Sequence, residues 1–306
     1  MRLVFFGITQ FATSGLRKLI ERGTPPVALV VAPVMAQDIE NMKQIGSAHQ
    51  IPVFAPADVN APDFVAALAA LNPDILITYT FDKKLGPEVL ALTQHAYNMH
   101  PALLPDYRGN NPYFWTLANG ETETGVTFHR LTQHFDQGDI LLQTRIPIHP
   151  NDTCGLVVAR QEGIAATMLD QLLGLIESDK PLPATPQIEG TFKRAPKPTI
   201  EDHFIHWDWP THVIIDRIRA INPFSGAFAQ YKQDILAIYQ AKPITFESPD
   251  PAGTVVMLTP EGPLIKTGDG AIVLLIVMVG KKYLLSGNDF IENENVHVGD
   301  KITCLE

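Results

Sequence analysis

Leu3-Val4-Phe5-Phe6-Gly7 is a run of four apolar residues closed by a glycine, and a helical pattern from Phe11 to Arg22 follows directly. A short continuous apolar run reads as a strand buried on both faces. The same alternation then repeats along the chain. Val27 to Ala32 reads as a strand and Asp38 to Gln50 as a helix; Phe64 to Leu71 reads as a helix and Ile75 to Tyr79 as another buried strand. Strands alternating with helices imply right-handed crossovers and a mostly parallel sheet, so the expected fold class is α/β with a doubly wound sheet. Gly125 to Leu131 and Ile140 to Ile148 read as a strand pair whose joining loop carries Asp136, and Thr153 to Ser178 reads as a long closing helix.

The composition then changes. Pro181, Pro183, Pro186, Pro196 and Pro198 crowd one segment, which suits an extended linker. Beyond it, a helix is expected to start at Thr211 after Pro210. Short β-rich runs follow: Ala227 to Tyr231, Ile235 to Tyr239, Gly253 to Leu258, Leu264 to Thr267 and Ala271 to Val279, spaced by Gly and Pro as in a small barrel. The expected organisation is a first domain over 1–182, a linker over 183–203 and a second domain over 204–306.

Bulk properties exclude several classes. The 306 residues are 45% hydrophobic and 18% charged, as in an ordinary globular protein. A net charge of −10 disfavours binding to phosphate backbones. Cys154 and Cys304 suggest neither a disulfide framework nor a metal site, and no metal is expected. The apolar start is too short for a signal peptide, and Ala271 to Val279 is about half the length of a membrane span. A cytoplasmic protein without a membrane partner is expected. The opening turn has the single Gly7 and no Gly-x-Gly-x-x-Gly, so a dinucleotide fingerprint is absent.

Chemistry concentrates in Asn98-Met99-His100-Pro101, the loop Leu103 to Gly109, and His134-Phe135-Asp136-Gln137-Gly138-Asp139. Pro101 disfavours helix at His100. On an extended segment Asn98 and His100 face the same way. An amide donor and an imidazole on one face can bind a carbonyl oxygen that becomes negative under attack. A nearby carboxylate can orient the imidazole or accept a proton. Singly, His100 reads as a turn cap and Asp136 as a loop residue; together, at the usual location of α/β sites, they read as a catalytic trio.

These motifs resemble the formyltransferases that use 10-formyltetrahydrofolate, a family that includes methionyl-tRNA, glycinamide ribonucleotide and amino-sugar formyltransferases. The signature is Asn-x-His, then Leu-Leu-Pro-x-[Tyr/Trp]-Arg-Gly, then Asp-x-Gly before a strand, met here at Asn98 and His100, Leu103 to Gly109, and Asp136 and Gly138. Phe6 to Ala12 resembles the family's opening turn, with the usual Gly-Thr-Pro altered. Arg219 to Ala227 is similar to the start of the family's C-terminal domain. Asn119 to Thr127 with His129-Arg130 is similar to the formyltransferase domain for UDP-4-amino-4-deoxy-L-arabinose. The resemblance implies a Rossmann-like first domain and an OB-like second one. It implies 10-formyltetrahydrofolate as formyl donor and co-substrate, an amine that attacks the formyl carbon, and an oxyanion held by Asn98 and His100, with Asp136 holding His100 charged or relaying a proton. It puts the pterin pocket at the segment holding Tyr79, Thr80 and Phe81 and at the loop with His134, Gly138 and Asp139. Core packing is the competing reading for Tyr79 and Phe81.

For the acceptor, a nucleotide-linked amino sugar ranks first and tRNA second. From His206 onward, eight Lys or Arg face twelve Asp or Glu, a net −4 that makes a poor tRNA clamp. The basic loop that the family's tRNA enzymes carry after the second strand is replaced by Pro33-Val34-Met35-Ala36-Gln37-Asp38. Arg108, Asn110 and Asn111 are the candidate acceptor contacts; the pair Lys193-Arg194 reads better as a solvated linker. A hydroxamate or amino-acid amine, and a hydrolase that releases formate from the folate, complete the alternatives. The oligomeric state is open, with a homodimer allowed.

Overall fold

The computed structural model describes every residue except Asp179, Glu189, Thr191, Lys281, Lys282 and Glu306, so two positions of the expected linker and three of the charges counted in the second domain lie outside the described residues. The chain divides into two compact units that interleave in sequence. One comprises Met1–Pro112, Glu123–Pro147 and Ala159–Pro196; the other comprises Tyr113–Thr122, Ile148–Val158 and Lys197–Glu306. The expected linker is therefore shared, since its residues up to Pro196 pack with the first unit.

The first unit is built on β1 (Leu3–Gly7), β2 (Ala28–Val30), β3 (Val53–Phe54), β4 (Ile75–Tyr79), β5 (His95–His100), β6 (Glu123–Arg130) and β7 (Ile140–Pro147), in the order β3-β2-β1-β4-β5-β6-β7. The pairs on the β3 side of β5 are parallel, while β5–β6 and β6–β7 are antiparallel. The apolar runs form these strands because both faces are covered; β1 and β4 are buried along their whole length. On one face Val4, Phe6, Val30 and Leu76 meet Phe64 and Leu68 from α3 (Pro62–Ala70), after α1 (Gln10–Glu21) and α2 (Gln37–Ala48), and Val89 from α4 (Pro87–Leu90). Each fully buried side chain of this size contributes roughly 1.5–3 kcal/mol. Arg22, just after α1, bonds Asp170 at 2.7 Å and Glu177 at 2.6 and 2.8 Å, both on α6 (Cys154–Glu177), which follows α5 (Pro112–Ala118).

The second unit contains α7 (Thr211–Ile221), α8 (Gly287–Glu294) and an antiparallel sheet ordered β10-β11-β12-β9-β8-β14, with β13 (Leu284–Ser286) paired to β12. Its strands are β8 (Ala227–Tyr231), β9 (Asp234–Ile244), β10 (Val255–Thr259), β11 (Gly262–Lys266), β12 (Ala271–Val279) and β14 (Ile302–Thr303). A bridge between Thr254 and Lys301 brings the two ends of that order together, which matches the expected small barrel. Among the described residues no helix is long and apolar enough to cross a membrane.

Candidate active site

The site lies in the first unit, at the carboxyl ends of the central strands. Register explains it. Thr78 of β4 pairs with Asn98 of β5, and Asn98 pairs with His129 of β6, so three polar side chains form one row on one face of the sheet. Thr78 Oγ1 donates to Asn98 Oδ1 at 2.7 Å, and Asn98 Nδ2 donates to His129 Nε2 at 3.0 Å. His129 Nδ1 lies 2.8 Å from the carbonyl of Arg130 and donates to it, which leaves Nε2 as the acceptor that Asn98 needs. His100 follows two residues on, at the end of β5. Gln161 of α6 braces the turn after it, donating to the carbonyls of Pro101 and Gly125 at 2.8 and 2.9 Å.

Asp136 reaches this row from the loop between β6 and β7. Its Oδ1 lies 3.3 Å from Asn98 Nδ2 and 3.5 Å from both His100 Nδ1 and His129 Nε2, and its Oδ2 accepts from Gly109 N at 3.0 Å. Asn98, His100 and Asp136 are thus brought together. The loop is held tightly: a Cβ on Gly138 would stand 2.0 Å from the carbonyl oxygen of Arg130, so only glycine fits. Asp136 itself sits in the left-handed region at φ 56°.

Asp136 is 8% exposed and His100 4% exposed. Burial opposes the charged form of Asp136, yet the imidazoles of His100 and His129 and the Gly109 N–H together hold its carboxyl well below the usual carboxylate range. Burial pulls His100 below the ordinary histidine value, against the upward pull of Asp136. His100 Nε2 lies 2.9 Å from the Tyr107 carbonyl and donates to it. A neutral His100 then carries its lone pair on Nδ1, on the Asp136 side, where it can take up a proton that the carboxylate would stabilise.

The remaining expected residues divide. Tyr79 and Phe81 belong to the core: Tyr79 is 1% exposed between Phe5 and Phe128, with ring centroids 5.5 and 5.9 Å away, and Phe81 packs on Phe6 at 5.5 Å. Tyr79 ends β4 and Phe81 lies two residues beyond it, and both rings pack among apolar neighbours. Thr80 adopts φ 51° and its hydroxyl meets that of Thr9. His134 is exposed, Gly138 is buried, and the Asp139 carbonyl accepts from Arg130 N at 2.9 Å. Asn110 is exposed, whereas Asn111 Oδ1 is buried without a hydrogen-bond partner. Arg108, expected to meet an anionic acceptor, is 9% exposed; its guanidinium bonds Gln187 and lies 4.7 Å from the centre of the Phe192 ring. Lys193 and Arg194 have exposed side chains, as a linker reading expects, but their backbone is tied to the loop at 106–108.

Two participants were missed. His129 was quoted only for its resemblance; the cue was its place two residues after Thr127, on the face that holds Asn98. Thr78 lay inside the segment assigned to the pterin and was passed over for its aromatic neighbours. Among the described residues no group of three or more His, Cys, Asp or Glu is placed to hold a metal ion.

Residues 1–171 match the family model described as formyl transferase, and residues 197–295 match that of the formyl transferase C-terminal domain. The chain is 32% identical to a methionyl-tRNA formyltransferase of Syntrophus aciditrophicus (strain SB), covering 97% of each chain. It is 31% identical to that of Moorella thermoacetica (strain ATCC 39073 / JCM 9320), covering 100% of each. In fold it is similar to the N-formyltransferase from Helicobacter canadensis solved with folinic acid and dTDP-3-aminofucose, with a TM-score of 0.69, 18% identity, and coverage of 92% of this chain and 100% of that one.

Proposed function

This chain belongs to the formyl transferase family, and we propose that it moves a formyl group from 10-formyltetrahydrofolate to a primary amine. The observation that carries the reading is the convergence of Asn98, His100 and Asp136 on one face of the central strands, with His129 beside them. The neutral amine attacks the formyl carbon. Asn98 turns the Nδ2–H of its long 3.3 Å contact toward the developing oxyanion. His100 Nδ1 takes the proton shed by the amine, and Asp136 stabilises the imidazolium so formed. Collapse of the tetrahedral intermediate then expels the folate nitrogen, which regains a proton from His100. Donor contacts come from Thr80 and the loop with His134, Gly138 and Asp139, with the backbone of Tyr79 and Phe81 alongside.

The acceptor divides two observations. The full-length relatives named above are methionyl-tRNA formyltransferases, which favours an aminoacylated initiator tRNA over the nucleotide-linked amino sugar ranked first on charge. The second reading stays because of the net −4 from His206 onward and the absence of Lys or Arg from Pro33 to Asp38. Asn110 and Asn111 are the proposed acceptor contacts under either.

The test is a panel of amines with 10-formyltetrahydrofolate, following the folate product optically: methionyl initiator tRNA, UDP- and dTDP-amino sugars, ornithine derivatives, and no acceptor. Turnover with tRNA that collapses as salt rises supports the first reading; turnover with an amino sugar alone supports the second. Formate release that no acceptor accelerates replaces transfer by hydrolysis.

A further inference from the structure

The described residues between Thr185 and Pro196 are tied along the loops of the site, although the prolines of this segment suggested an extended linker. Thr185 and Ile140 exchange backbone hydrogen bonds at 2.8 and 2.9 Å. Tyr107 N donates to the Lys193 carbonyl at 2.7 Å, and Lys193 N donates to Asp106 Oδ1 at 2.9 Å. Ala195 N donates to the Arg108 carbonyl at 2.9 Å and its own carbonyl accepts from Asn111 N at 3.2 Å.

One side chain of this segment joins the two loops that meet at Asp136. Gln187 Oε1 accepts from Arg108 Nε at 3.1 Å and from the other guanidinium nitrogen, Nη2, at 2.6 Å. Gln187 Nε2 donates to the carbonyls of Asp136 at 2.9 Å and Gly138 at 2.7 Å. The amide thus uses both donors and both acceptor directions. Arg108 adjoins Gly109, whose N–H binds the Asp136 carboxylate. Gln187 therefore grips the backbone of the residue that presents the carboxylate, and the residue beside the donor that receives it. Asp136 needs such a grip, because a left-handed aspartate persists only where its surroundings over-determine it.

We infer that Gln187 is a positioning residue for formyl transfer, its amide coupling the loop Leu103–Gly109 to the loop His134–Asp139 and fixing Asp136 against His100. The inference rests on the formyl-transfer reading above. The two ends of the amide do different work. The oxygen end anchors Arg108 by a forked, charge-assisted contact. The nitrogen end holds the 136–138 backbone and has no substitute when it becomes an oxygen.

The discriminating variant is Gln187→Glu, which keeps an acceptor for Arg108 and sets a carboxylate oxygen against two carbonyls; Gln187→Ala removes both ends. In both, kcat is expected to fall by about 100-fold, as misplacement of a reacting group by about 1 Å does. The KM for the folate is expected to rise far less than kcat falls, because Thr80 and the segment at Tyr79 and Phe81 keep their share of the proposed donor contacts. Hydrogen exchange at the Gly109 amide is expected to quicken in Gln187→Glu, with the thermal midpoint close to that of the unaltered protein. A Gln187→Glu kcat within about threefold of the parent, per folded molecule, overturns the assignment. So does a kcat loss that only tracks loss of folded protein. The exchange measurement needs no turnover: if the parent formylates no amine, the functional reading fails, while unchanged Gly109 protection in Gln187→Glu overturns the coupling on its own.

Discussion

Each unit shields a charged side chain, Asp136 buried and Arg217 partly buried, and the two are surrounded in opposite ways. Asp136 in the first unit accepts from the Asn98 amide and the Gly109 N–H, and two imidazoles that can take up a proton stand 3.5 Å from its Oδ1. Arg217 in the second unit is ringed by aromatic faces, with Phe114, Trp209 and Trp115 centred 5.5, 5.5 and 6.0 Å from its guanidinium carbon. One terminal nitrogen of Arg217 donates to the Asp202 carbonyl at 2.7 Å, and the Asp202 carboxylate stands 4.0 Å away. The rings around Arg217 have no proton to exchange, so its charge is fixed and serves as glue. The neighbours of Asp136 include His100, whose protonation can change during a reaction, so under the proposed function that buried charge serves as a reagent. A buried charge points to chemistry when its partners titrate and to architecture when they do not.

The strongest way to break this contrast is to alter the reagent. His100→Ala and Asp136→Asn are each expected to lower kcat per folded molecule by about 10³-fold, within the usual span for a lost acid–base group, with the fold retained as read by circular dichroism. Near-native release of tetrahydrofolate by either variant would dissolve the distinction. His129→Ala is expected to cost less, about 10- to 100-fold in kcat, because it acts through Asn98 and Asp136 rather than on the formyl carbon. His129→Gln is expected to regain part of the loss, since its carbonyl oxygen can accept from Asn98.

Arg217→Ala is the reverse experiment. It is expected to cost about 2–3 kcal/mol of stability through lost stacking and a stranded Asp202, read by chemical unfolding, while kcat per folded molecule holds. A large kcat loss with stability intact would give Arg217 a role in the reaction and would blur the line between the two networks.

Legibility in the sequence followed how local each signal was. Leu3–Gly7, Ile75–Tyr79 and Ala271–Val279 stand as strands where uninterrupted apolar runs announced them. Asn98, His100 and Asp136 were readable because polar side chains set into apolar strands and a tight glycine loop have few structural excuses. His129 sits in a strand of mixed polarity, and its meaning comes from pairing opposite Asn98, because register is invisible along one strand. The segment from Thr185 to Pro196 was read as a linker because extended proline-rich backbone carries no periodicity. Gln187 finds its partners 49 to 79 residues away, and nothing near it in sequence foretells them. Tyr79 and Phe81 carried two readings from the start, pterin contact and core packing, and their rings pack in the core. Helix α8 was passed over although Ser286 spells its start, accepting from Asp289 N at 3.1 Å as an N-cap.

The subtlest difference between the two networks lies in how they answer pH. Folding depresses the carboxyl of Asp136, so its contribution is present above the ordinary unfolded carboxylate value and is lost as pH falls through the lower folded one. Folding also lowers His100, because burial disfavours the imidazolium. In that window the unfolded chain binds the extra proton, so stability is complete above the unfolded histidine value of about 6.5 and declines as pH falls toward the folded value. Both groups therefore weaken the fold in acid, His100 beginning first. Arg217, although lowered by burial, stays charged throughout this range, and its charge adds to the burial that lowers His203, so the second unit weakens in acid as well. Urea unfolding of the parent from pH 7.5 down to about 5 is expected to show falling stability whose slope is reduced in His100→Gln, with part of the remainder carried by His203. Equal slopes in the parent and His100→Gln would mean that the imidazole is not buried neutral, and the proton-accepting step assigned to its Nδ1 would go with it.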